Sequence, residues 1–84
     1  MNSVLPVGLT AVEIPVGSRR PVIINTGATT LYFGEDNTVS TANGIPLGPN
    51  VGYEFPEPFA VSNWEGLWVI SDAAGGEVRY ASVG

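Results

Sequence analysis

The sequence predicts an all-β domain, a small antiparallel β-sandwich or barrel of six to seven short strands, with the sandwich favoured. Three observations lead there. No stretch keeps a helical period of apolar residues. The 11 glycines and 7 prolines are spread along the whole chain, and inside a helix they cost about 1 and 3 kcal/mol each. Between them lie short runs of β-branched and aromatic residues, spaced roughly every 8–12 residues and separated by turn signals.

In chain order, residues 1–8 are apolar without alternation and carry Pro6 and Gly8. They read as an extended N-terminal arm, leaving residues 9–84 as a single sandwich domain. Leu9 to Val16 follows as a first strand. Gly17-Ser18-Arg19-Arg20-Pro21 is a turn, because Pro21 biases Arg20 toward extended backbone and Gly17 accepts positive φ. Val22 to Asn25 is a continuous apolar run, the pattern of a strand covered on both faces.

Thr26-Gly27-Ala28 connects it tightly to a strand over Thr29 to Phe33. A hairpin at Gly34-Glu35-Asp36-Asn37 leads into a strand over Thr38 to Ala42, and Asn43-Gly44 is a strong turn signal. Ile45 to Asn50 reads as a corner, since its two prolines cannot donate to a central ladder. Val51 to Phe55 resumes a strand with Val51, Tyr53 and Phe55 on one side. After Pro56-Glu57-Pro58, Phe59 to Ser62 forms a short strand. Leu67 to Ser71 and Glu77 to Val83 make a closing hairpin across Asp72 to Gly76, with Trp68 taken as a core residue beside Ile70.

A chain of 84 residues buries only about 63% of its unfolded surface. It has no Cys for a disulfide and no His to help hold a structural metal. Association is the remaining device by which so small a domain gains stability, so a homo-oligomer or a docked partner is expected. Eight acids against three arginines and no lysine leave a net charge of −5. That surface is repelled by nucleic acid and by anionic membrane. No charged segment precedes an apolar core of signal-peptide type, and no apolar run approaches ~18 residues. Neither a signal peptide nor a membrane span is expected, and assembly would take place in a cytosol.

Catalysis finds little support. Without His, Cys or Lys, the usual general base, the strongest nucleophile and the Schiff-base amine are all missing. No catalytic residue, cofactor or metal ligand is assigned. Glu35-Asp36-Asn37 reads as a solvated turn, with calcium binding as the alternative and too few oxygen ligands to favour it. Glu54 and Glu57 are surface acids, or else partners of Arg19, Arg20 or Arg79 across a subunit interface.

The candidate contact residues are Val4, Leu5, Val7, Arg19, Arg20 and Trp64. Val4, Leu5 and Val7 belong either to an edge strand of the same domain or to an arm laid on a neighbour. Arg19-Arg20 is the only basic pair, able to grip a partner's carboxylates bidentately or simply to sit in solvent. Trp64 lies in a polar loop. It anchors a partner, stacks on sugar, or folds back onto its own core.

A resemblance enters in the middle of the chain. Asn25-Thr26-Gly27 leads to Leu31-Tyr32-Phe33-Gly34, then Val39-Ser40 and Gly44-Ile45-Pro46-Leu47-Gly48-Pro49. Later come Leu67-Trp68-Val69-Ile70-Ser71 and Gly75-Gly76. This succession over residues 22 to 83 resembles small tailed-bacteriophage β-sandwich structural proteins of the capsid decoration (cement) type. Asn50 stands where those proteins often have Gly, and Asn tolerates the left-handed backbone such a turn needs.

The resemblance implies a non-enzymatic virion protein on the outer capsid surface, bound to the major capsid protein and stabilising the shell. A trimer is the oligomer expected. The other reading is a tail, fibre, receptor- or glycan-binding module with Trp64, Tyr53 and Tyr80 as stacking platforms.

Overall fold

The computed structural model describes residues 2–17, 19–58 and 64–83. Eight strands run in the order β1 (Asn2–Val7), β2 (Val12–Glu13), β3 (Arg20–Asn25), β4 (Leu31–Gly34), β5 (Ile45–Leu47), β6 (Gly52–Glu54), β7 (Trp68–Ser71) and β8 (Gly76–Val83). They form two antiparallel four-stranded sheets, β1-β8-β3-β6 and β2-β7-β4-β5. The fold is the small β-sandwich that the sequence predicts, and no helix occurs among the described residues.

The pairing follows a less local rule than adjacent hairpins. Apart from β4 and β5, successive strands lie in different sheets. The expected closing hairpin is therefore corrected: β7 pairs with β4 and β2, while β8 pairs with β3 and β1. The turn over residues 72–75 carries the chain from one sheet to the other. A turn signal marks where the chain reverses and says nothing about which sheet it re-enters. Gly76 is required just beyond, because a Cβ there would meet the Val7 carbonyl oxygen at 2.7 Å.

Residues 2–7 do not stand off as an arm. They form β1, an edge strand paired with β8 from Asn2↔Ala81 to Val7↔Gly76. The division at residue 8 gives way to one domain that includes β1. An edge position is where a sheet accommodates a proline such as Pro6.

Three other elements differ. Leu9 to Val16 contracts to the two residues of β2. Thr38 to Ala42 is a set of turns, because side chains there bind local backbone and compete with a ladder. Asp36 accepts from the Thr38 N–H at 2.9 Å, and Asn43 accepts from the Ser40 N–H at 2.8 Å. Ile45 to Leu47, read as a corner, is edge strand β5 against β4. The corner proper is Gly48 to Val51, closed by Val51 N–H donating to the Gly48 carbonyl at 3.1 Å. Asn50 adopts φ 64° there, the left-handed geometry anticipated for it. The strand expected over Phe59 to Ser62 lies outside the described residues.

Side-chain alternation assigns the faces. Val7, Ile23, Val78 from one sheet and Leu31, Phe33, Val69 from the other are all buried, with Ile14, Leu47, Phe55 and Leu67 completing the core. Asn25 is the one fully buried amide among the described residues, with no exposed area. Its Nδ2 donates to the carbonyls of Thr29 at 2.7 Å and Leu47 at 2.8 Å, and its Oδ1 accepts from the Gly27 N–H at 3.0 Å. The Asn25 backbone also binds the Gly48–Val51 corner through Asn50 and Val51.

Candidate functional site

β8 is an interior strand of its sheet, and its outward positions are Glu77, Arg79 and Ala81. Residues directly opposite in an antiparallel pair share a face. Arg79 therefore has Val4 on one side and Ile24 on the other, and Ala81 has Val22 beside it. Val4 is 53% exposed and Ile24 39%. Together these side chains line a shallow groove of about 340 Å³, with Ser3 and Tyr80 at its margins.

Two arginines stand on this surface. Arg20 is paired to Glu54 at 3.1 Å, diagonally across β3 and β6. Arg79 is exposed and forms no ion pair among the described residues. Glu77 is half-buried and accepts a hydrogen bond from the Thr26 hydroxyl at 2.6 Å.

The opposite sheet also shows apolar groups outward. Trp68 and Ile70 on β7 share a face with Tyr32 on β4 and Pro46 on β5. Trp68, Ile70 and Tyr32 are each half-buried. Trp68, taken from the sequence as a core residue, is thus on the outer side; Leu67 and Val69 fill the core instead. The alternation was legible, but its phase was misread because the indole is the larger apolar group.

A second concavity of about 260 Å³ lies at one end of the sandwich, between Phe33 and Trp64 on one side and Glu35, Asp36, Thr38 and Asn43 on the other. Carboxylate oxygens of Glu35, Asp36 and Glu65 lie within 4.8 Å of one another. Such exposed acidic groups also occur without an ion, and calcium needs six to eight oxygens about it. Asp36 is committed locally. The Thr38 hydroxyl, and then the Thr38 N–H, hold its carboxyl below the ordinary value of 3.8. That direction is opposite to the raised pKa of a general acid. The turn's contribution to stability is therefore present above the unfolded value and lost as pH falls through the lower folded one. Replacing Thr38 by Val, which keeps the N–H and removes the hydroxyl, is expected to raise the Asp36 pKa part of the way back. A carboxyl-carbon NMR titration reads it directly.

The six candidate contact residues do not form one site. Val4 points outward into the groove. Leu5 is half-buried against the core and Val7 is buried. The cause is the strand period of two, which turns Val4 away from its neighbours. Arg19 is exposed, and Arg20 is paired with Glu54 of its own chain. Trp64 folds back toward the core, meeting Phe55 edge-on at 5.5 Å and Phe33 at 6.2 Å between centroids. Tyr80 also packs inward, and Tyr53, though exposed, lies tilted against Phe33 and edge-on to Phe55.

Sequence reasoning missed the groove residues Val22, Ile24, Arg79 and Ala81. Their signal was present in Val22-Ile23-Ile24. That run implies cover on both faces, and the fold covers only one: Ile23 is buried while Ile24 is exposed.

The chain matches no protein-family model, no curated protein and no solved structure.

Proposed function

We propose that this chain is a non-enzymatic virion structural protein of the decoration type, which docks on the outside of a tailed-phage head and stabilises the shell through the major capsid protein. One observation carries the reading: several outward positions on both sheets, beside the charged ones, are apolar where a solitary antiparallel sandwich has polar ones. Val4, Val22, Ile24 and Ala81 lie on one side, and Tyr32, Trp68 and Ile70 on the other. A module with two such faces is built to be held between neighbours. The acidic balance of the chain favours the solvent side of a shell over its nucleic-acid side. A domain that binds only the assembled shell stabilises it by mass action at every contact.

Heads purified with and without the protein provide the test. Heads lacking it are expected to release packaged genome at a lower temperature, and adding purified protein is expected to restore the higher one. Equal heat resistance with no co-sedimentation of the protein would sink the reading.

The glycan-binding alternative is favoured by the cleft beside Trp64, where an indole lies near the carboxylates of Glu35 and Asp36 and the amide of Asn43. Aromatic faces with convergent polar groups suit a sugar ring. A glycan array with the purified chain decides it, and silence across the array removes it.

A further inference from the structure

We propose that the outer face of the β1-β8-β3-β6 sheet is a two-fold self-association surface, occupied by the same face of a second copy. This goes beyond the shell-binding reading and holds whichever particle the protein belongs to.

Three features of the face point to a second copy. The first is apolar surface: Val4, Val22, Ile24 and Ala81 surround Arg79 along a groove of about 340 Å³. The second is charge. Arg20, Arg79, Glu54 and Glu77 cancel on this face, so the whole net charge of −5 lies elsewhere on the molecule. It is a surface where two such acidic chains can meet without net repulsion. The third is self-complementarity. Arg79 is unpaired among the described residues, and Glu77 is two positions away on the same strand face, with one carboxylate oxygen taken by Thr26.

An isologous interface needs residue i to meet j while j meets i. Consider a two-fold axis lying in the interface, across β8 and level with Val78. It sets Arg79 of each copy over Glu77 of the other, twice, and brings Val4 over Pro6. The pairing also lays Ile24 over Thr26 of the second copy, one position from the axis on β3. It also provides the association that a chain with no disulfide lacks internally. The pair is two-fold, in place of the three-fold grouping that the resemblance suggests.

Sedimentation-equilibrium measurements on the full chain across a wide concentration range test this. The wild type is expected to be a dimer in rapid exchange with monomer. Arg79→Glu sets four carboxylates against each other at the axis and is expected to raise the dissociation constant roughly 100-fold. Glu77→Arg gathers four guanidiniums there and is expected to do the same. The double variant Arg79→Glu with Glu77→Arg restores both cross-pairs and is expected to recover most of the affinity. Ile24→Asp serves as an independent, charge-blind check of the face and is expected to give monomer. Far-UV circular dichroism confirms that each variant is folded. A wild type that stays monomeric at millimolar concentration, forms a trimer, or dimerises undisturbed by Arg79→Glu and Ile24→Asp overturns the proposal. Because shell binding is measured on heads and pairing on the chain alone, failure of either is distinguishable from failure of the other.

Discussion

Replacing Phe33 by alanine is expected to destabilise the chain by about 4 kcal/mol, within the range for removing a buried aromatic ring. The ring is 1% exposed and comes from β4, yet its neighbours come from both sheets. Tyr53 of β6 lies 5.4 Å away, Phe55 6.3 Å and Trp64 6.2 Å, all tilted. Tilted and edge-on aromatic pairs add roughly 0.5–1.5 kcal/mol beyond their buried area. Total stability for a chain of 84 residues is on the order of 4–13 kcal/mol, so the variant is expected to lie close to unfolding. Urea denaturation followed by tryptophan fluorescence measures it. Phe33→Leu keeps most of the volume and loses the ring, and is expected to cost less than about 2 kcal/mol. If the two variants are equally destabilised, the ring contacts rather than the filled volume hold the sheets together.

The fold class was legible because its evidence is local. Glycine and proline punctuation, β-branched runs and the Asn50 turn are properties of a few adjacent residues, and the structure keeps them. Pairing was not legible. β1 meets β8 across nearly the whole chain, and β7 leaves β8 for the other sheet. Nothing within the 72–75 turn encodes that choice; it depends on which side of the core the next apolar residue can fill. The site was half legible for a related reason. Strand period told that Val4 and Leu5 face opposite ways, but not which side was the interior until β8 and β3 were in place. The uncovered face came from a conflict between two levels. A run that asks for cover on both sides sits in a sheet that provides it on one, and such a conflict is where a partner is to be sought.

Asn25→Ala is expected to cost about 3 kcal/mol, although it removes no apolar volume from the core. The substitution leaves the carbonyls of Thr29 and Leu47 and the N–H of Gly27 without the partners they now have. Each buried polar group stranded in this way costs about 1–3 kcal/mol, less where water can reach it. Asn25→Asp separates the two halves of the role. Its Oδ1 can still accept from Gly27, but the second oxygen faces two carbonyls in a site with no exposed area. Burial beside acceptors favours the neutral acid, so its folded pKa is raised. The ionised form then destabilises at neutral pH, and stability recovers as pH falls and the protonated oxygen donates to a carbonyl. The expected signature is a variant more stable in mild acid than at neutrality, read by thermal melts across pH. A variant with a flat pH profile would mean that the site relaxes and admits water. Either way the effect belongs to folding: Asn25 ties β3 to the following turn, to β5 and to the Gly48–Val51 corner. Its role is to close the sandwich, and partner contacts are to be sought instead on the outward positions around Arg79.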